Sequence, residues 1–483
     1  MYSPRNDVRE TPADGGLNPC IWSEIGLVHR LKGLTDHWRP AVRLTAMLAV
    51  GFAIRMAIAP FPGGFGYDVA TFQNWATTLD LHPMSQFYAR AEAPDHLPGD
   101  LWIMKALVWS FTTLGGENFN GQAFAWSLKL VPAIADVVVT VTIYLLATLR
   151  VSKRDGFRYA TWYFLNPVTV FVTAVWSQWD AVSLAVLLIG FLLIVRGESS
   201  WMFSSPFFAW AILIKPQLAA PALALIALIL FRFAASGSFS RTRIMKFAAQ
   251  GTFSIALGLV TAVAILLPFS VGLPGMDTRW SLIDRFREAL DLYPNTTLGA
   301  FNFWMIAIGS LDRPSDVDTR FLGMTLNAWG TVGLIACFAY IAVTMVRAFD
   351  QSTREEAVCW AAAVSIFSIF MVPTRVHERY LFPLIGLFLL YVVFGGFRPG
   401  NSRLYWAISL VLTLNLLLVY GGFRSVLPAA IRWMTERPGF TTLSCVNVAL
   451  FAICLALPHI SNSMRGQGDV THPRGDASTQ TAH

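Results

Sequence analysis

Apolar residues recur along this 483-residue chain in long blocks separated by short polar stretches. The blocks run to about 17–25 residues, enough at 1.5 Å per residue to cross a hydrocarbon core of roughly 30 Å. The ten-residue alternating segments of a membrane barrel are not the pattern here. The pattern predicts an all-α, polytopic membrane protein with about 12 crossings, in a range of about 11–13. They are expected near 41–59, 124–149, 159–175, 180–196, 201–214, 218–233, up to Leu267, 321–346, 358–372, 381–394, 404–419 and 443–457. Two further apolar pieces, 101–114 and 301–308, are too short for a crossing and are expected as interfacial or re-entrant helices.

This spacing divides the chain into a cytoplasmic arm (1–39), a membrane domain (40–460) and a polar, disordered cytoplasmic tail (461–483). Within the membrane domain, larger outer loops are expected near 60–123 and 268–320. The arm has no apolar leader core, so the first crossing is expected to stay as an anchor. Arg43 and Arg55 lie near the ends of that crossing, where snorkelling is expected. Basic loops at 150–158, 232–246, 347–354 and 398–403 all fall on the side of the arm. The positive-inside rule then places both termini in the cytoplasm, and a bacterial-type inner membrane is the expected location.

Composition sharpens this picture. Hydrophobic residues make up 55% of the chain and charged residues 13%, about half the charge of an average globular domain. The net charge of +7 comes from short loops rather than a nucleic-acid-binding motif, so no nucleic acid partner is expected. The five cysteines have no metal-ligand or disulfide spacing.

Candidate chemistry gathers on the outer side of the expected topology. Asp68 stands in the Gly-rich, aromatic stretch Gly63 to Trp75, where Tyr67, Phe72 and Trp75 are placed to frame a ring-shaped substrate. Asp80, Glu92, Asp95 and Asp100 share its loop. Trp176-Ser-Gln-Trp-Asp180 carries Gln178 and Asp180, and Lys215-Pro-Gln217 joins two short helices. A loop from Tyr293 to Asn302 follows, and Pro373 to Pro383 contains Arg375, His377, Glu378 and Arg379. Ionisable groups at the edge of hydrocarbon are costly, which makes them functional candidates. Arg, Lys and imidazolium groups suit phosphate oxygens, with Glu378 placed to orient one of them. Asp136 and Asn166, inside crossings, read as links between helices.

These motifs resemble the multi-spanning glycosyltransferases of the GT-C superfamily. The resemblance rests on Phe65-Gly-Tyr-Asp68, Lys129 to Asp136, Asn166-Pro-Val, Trp176 to Asp180, Lys215-Pro-Gln217, Tyr293 to Trp304 and His377 to Pro383, covering about residues 40–395 in that order. It implies a GT-C fold and a polyprenyl-phosphate sugar as donor. Asp68 is then the catalytic general base, and Lys215, Arg375, His377 and Arg379 bind the donor phosphate. Tyr67, Trp75, Gln178, Asp180, Gln217, Tyr293, Asn302 and Glu378 orient or bind substrate.

The branch that builds lipid-linked glycans is the most similar. The implied reaction moves mannose, glucose or another hexose to an extracytoplasmic glycan or lipid-linked acceptor, with inversion. No Asp-x-Asp pair accompanies Asp68, so no metal and no cofactor beyond the lipid-linked donor are expected. Donor, glycolipid acceptor and membrane lipids are the implied partners. A transporter or flippase of a lipid-linked solute is the other reading that broken helices and charges near an outlet allow.

Overall fold

The computed structural model describes residues 40–60, 64–197, 199–237, 239–308, 314–347, 353–396, 398–420 and 429–470. The expected arm, 1–39, and residues 471–483 of the expected tail, 461–483, lie outside them, while 461–470, expected to be disordered, continue the last helix. The chain divides into two compact units, residues 1–49 and 50–483, with the boundary inside the first helix. The described part of the first unit, 40–49, is the beginning of that helix.

Among the described residues, helices dominate. They are α1 (Pro40–Ile58), α2 (Gly66–Leu81), α3 (Phe87–Arg90), α4 (Pro98–Thr113), α5 (Gln122–Thr148) and α6 (Lys153–Phe164). Next come α7 (Pro167–Val170), α8 (Asp180–Arg196), α9 (Ser205–Ile214), α10 (Ala219–Ala235), α11 (Arg241–Leu266) and α12 (Leu282–Asp291). The last six are α13 (Phe303–Ile308), α14 (Leu326–Arg347), α15 (Arg354–Met371), α16 (Phe382–Phe394), α17 (Pro399–Tyr420) and α18 (Arg437–Val470). The described strands are two-residue pieces. β1 (Val271–Gly272) pairs in parallel with β2 (Trp280–Ser281), and β3 (Arg320–Phe321) pairs antiparallel with β4 (Met324–Thr325).

Every expected crossing is mostly helical, the one expected at 321–346 becoming helical only at Leu326 after β3 and β4, and 7 described helices are long and apolar enough to span a bilayer. They begin at Pro40, Gln122, Pro216, Arg241, Leu326, Pro399 and Arg437. The chain is a multi-pass membrane protein. The remaining expected crossings are shorter, broken or charged at one end. The segment expected at 159–175 is divided into α6, α7 and a π-helical turn, Phe171–Trp176. α16 has 13 residues, and α15 begins with Arg354, Glu355 and Glu356.

Burial distinguishes the two groups. In α16 every residue from Phe382 to Val393 is buried, and α8 and α15 are almost as fully covered. A helix that is apolar on all sides is a core helix. By contrast α11 exposes Phe253, Ile255, Leu259 and Val260, and α14 exposes Val332, Ile335, Val343 and Val346. Those surfaces suit lipid contact.

Arg55 does not snorkel. It is 1% exposed, and its Nε donates to Asp136 Oδ2 at 3.1 Å, while Nη2 donates to Phe164 O at 2.6 Å. Tyr163 donates to the other oxygen of Asp136 at 3.0 Å. An unpaired buried guanidinium is far costlier than one with a carboxylate and carbonyls around it, and this overrides the interfacial position read from sequence. Asn166 similarly links helices, donating to Tyr405 Oη at 3.0 Å and accepting from Ser409 Oγ at 2.8 Å.

Candidate active site

Asp68 lies in the first turn of α2, where a carboxylate also complements the helix dipole. The chain entering that helix is tied to a distant segment: Phe65 N donates to Trp176 O at 3.2 Å, and the two rings stack with centroids 5.0 Å apart. The π-helical turn ends at Trp176, and Ser177 adopts left-handed φ of 78°. Such sparsely populated backbone persists where surrounding contacts fix it. The turn aims two donors at one carboxylate oxygen. Trp176 Nε1 and Gln178 Nε2 donate to Asp68 Oδ2 at 2.9 and 2.6 Å. Hydrogen bonds to a charged group contribute about 1.5–3 kcal/mol each. Oδ1 accepts no hydrogen bond from the described residues.

A second segment approaches from the far end of the chain. Leu298 N donates to Val376 O and Arg375 N to Asn295 O, so the 295–299 loop lies along 375–377. Gly299 has φ of +91°, and a Cβ there would fall 3.1 Å from Glu378 Oε2, so glycine suits both the turn and the approach. Arg379 is consequently surrounded by acids: Glu378 Oε1 at 3.0 Å, Asp68 Oδ2 at 3.7 Å and Asp180 Oδ2 at 4.0 Å. Burial opposes its charge, but the carboxylates of Asp68, Glu378 and Asp180 prevail and raise its pKa. Burial pushes the Glu378 carboxyl above the usual range despite Arg379, and the charge of Asp68 adds to the rise.

Two cavities open around this cluster. The first, about 330 Å³, is bordered by Asp68, Gln178, Glu378 and Arg379 together with the aromatic rings of Phe65, Tyr67, Phe72, Trp75 and Tyr293. Tyr67 and Tyr293 meet through their hydroxyls at 3.0 Å. Burial and that contact raise the Tyr293 pKa. The second cavity, about 580 Å³, is bordered by Lys215, Gln217, Arg287, Arg375 and His377, with apolar walls from Leu97, Ile214, Phe286, Leu334 and Phe338. The two share Asp95, His96, Tyr293, Leu298, His377 and Arg379.

Most residues expected at the site therefore converge, but their roles separate. Arg375 is bound by Asp316 at 2.8 Å and Asp291 at 2.6 Å, in a left-handed backbone with φ of 63°. Burial alone would raise the Asp316 pKa, yet hydrogen bonds from Arg375, Thr374 and Asn327 lower it. Lys215 is 6% exposed and has no side-chain hydrogen bond or carboxylate within 4.0 Å among the described residues. Gln217 Nε2 is buried and likewise without a partner. Asp180 is buried beside Arg379 and borders neither cavity.

Asn302, expected to face substrate, is fully buried and spent on backbone. It donates to Phe370 O at 3.2 Å and accepts from Trp304 N at 3.1 Å, starting α13. Sequence reasoning missed Trp176 as a donor to Asp68, Asp316 as the anchor of Arg375, and His96. The Trp176-Ser-Gln motif was visible, but its pairing with residue 68 spans 108 positions. Among the described residues, no group of three or more His, Cys, Asp or Glu side chains is placed to hold a metal ion.

No protein-family model matches the chain, and no curated protein matches it. Among solved structures it is similar to the crystal structure of ArnT from Cupriavidus metallidurans bound to undecaprenyl phosphate. The identity is 14% and the TM-score 0.41, over 87% of this chain and 77% of that one.

Proposed function

We propose that this protein is an integral-membrane glycosyltransferase that moves a sugar from a polyprenyl-phosphate donor to a hydroxyl on an extracytoplasmic glycan or lipid-linked acceptor. The observation that carries the reading is Asp68 at the rim of an aromatic cavity, one oxygen held by Trp176 and Gln178 and the other without a hydrogen bond among the described residues. A positioned carboxylate of this kind accepts a proton from a hydroxyl as it attacks. The adjoining larger cavity supplies what a lipid phosphate needs: apolar walls and an ammonium, Lys215, that has no partner among the described residues.

In the reaction, the acceptor oxygen attacks the anomeric carbon while its proton passes to Asp68. The bond from that carbon to the phosphate oxygen breaks with its electron pair, and a single displacement inverts the centre. The departing phosphate needs its charge offset rather than a proton, and preorganised cations supply this. Lys215 fills that role, and His377, whose Nδ1 lies 4.0 Å from Glu378 Oε2, joins it when protonated. Arg375 and Arg379 are engaged by carboxylates, and they hold the loop and Asp68 in place. Mannose and glucose are the donor sugars to test first.

The test is transfer by purified protein from a panel of polyprenyl-phosphate sugars to membrane-extracted acceptors. Asp68→Asn is expected to bind donor and to lose transfer by about 10²–10⁴-fold. Transfer by that variant at the parental rate would refute the assignment, and movement of intact donor across vesicles without transfer would favour a transporter.

A further inference from the structure

An imidazole in the wall common to both cavities meets a buried carboxylate behind it. His96 Nδ1 is paired with Asp100 Oδ2 in the first turn of α4. The ring is fixed edge-on against Trp75 and Phe72, with centroids 4.9 and 5.9 Å apart, and Tyr88 Oη donates to the His96 carbonyl at 2.8 Å. The start of α4 is equally fixed. Trp210 Nε1 donates to Gly99 O at 2.8 Å, and a Cβ on Gly99 would fall 2.4 Å from the Leu213 carbonyl carbon. Contacts from three other helices thus hold the pair.

Asp100 is 2% exposed, and its Oδ1 is buried without a hydrogen-bond partner among the described residues. A buried carboxylate with one oxygen unsatisfied is a cost that packing does not require. What the carboxylate does achieve is to fix the ring. With Nδ1–H directed at Asp100, the neutral imidazole presents Nε2 as an acceptor. Nε2 makes no hydrogen bond to the described residues. Asp68, across the first cavity, must be ionised again before each turnover, and the proton it takes has to leave a site crowded by Arg379, Trp176 and Gln178.

We infer that the His96–Asp100 dyad is a second proton-accepting group, taking over the proton that Asp68 removes from the acceptor hydroxyl. The inference rests on the transferase reading above. The hydroxyl O–H bond breaks and its proton goes to Asp68. Water filling the cavity then carries it to His96 Nε2, where the imidazolium is paired with Asp100, and it leaves finally to solvent. Asp68 is left ionised and His96 neutral.

The test uses the full-length purified protein with a polyprenyl-phosphate sugar donor. His96→Ala is expected to lower kcat by about 10²-fold with donor and acceptor KM unchanged, and added imidazole is expected to restore transfer in that variant alone. Asp100→Asn, which keeps the ring, is expected to lower kcat without changing donor KM. Parental kcat in either variant, or a His96→Ala defect that imidazole does not relieve, would overturn the dyad's role. Failure of the parental protein to transfer from any donor would overturn the transferase reading and the inference with it. Parental transfer matched by His96→Ala would overturn the inference alone.

Discussion

Arg379 lies within 4.0 Å of three carboxylates, and burial decides what one of them, Glu378, does. Burial raises the Glu378 pKa above the usual carboxylate range, Arg379 offsets only part of that rise, and the charge of Asp68 adds to it. A carboxyl with a raised folded-state pKa binds more protons folded than unfolded, so stability falls as pH rises from the unfolded value through the folded one. Glu378→Gln is therefore expected to raise the thermal midpoint at pH 8 and to leave it nearly unchanged at pH 4; a midpoint lowered at pH 8 would contradict this. Lys215 presents the opposite situation, a buried cation with nothing to pair with among the described residues. Lys215→Gln is expected to raise donor KM about tenfold, the effect of losing roughly 1.4 kcal/mol of phosphate contact, with acceptor KM unaltered. An unchanged donor KM would remove Lys215 from the phosphate site.

Single helices are shaped by the links between them. Arg55 on α1 and Asp136 on α5 are fully buried, and Tyr163 on α6 completes the set. Breaking a buried pair by removing one partner costs about 3–5 kcal/mol, whereas replacing both is often nearly neutral. Arg55→Met is thus expected to lower the thermal midpoint in detergent, and Arg55→Met with Asp136→Leu to recover most of the loss. Equal destabilisation by the single and double variants would show that the ion pair is not what Arg55 contributes. The same scale explains the broken third crossing. Asn166 caps α7, and the π-helical turn with Ser177 rotates Trp176 and Gln178 toward α2. A regular helix through this stretch would have aimed these side chains elsewhere.

Across the whole molecule, segments from residue 68 to residue 379 build one site, which the proposed topology places outside the cytoplasm. Cysteines placed at Tyr67 and His377 in a cysteine-free background are expected to react with an impermeant thiol reagent from the same face, and one at Arg154 from the opposite face. Reaction of positions 67 and 377 from opposite faces would dismantle the shared site. The helical, membrane-spanning character was legible in the sequence, because a run of apolar residues long enough to cross hydrocarbon has to satisfy its backbone internally, and a helix does so locally. So was the candidacy of Asp68, Lys215 and the 375–379 cluster, since charge beside apolar helices is costly wherever it is placed. Pairing was not legible. That Arg375 is held by Asp316, Arg379 by Asp68 and Asp180, and Arg55 by Asp136 depends on contacts between distant segments. Local periodicity determined which stretches are helices and which residues are expensive to bury; the tertiary structure alone decided which of those costs are met by a partner and which, as at Lys215, find none among the described residues, because electrostatic compensation depends on distance in space and not along the chain.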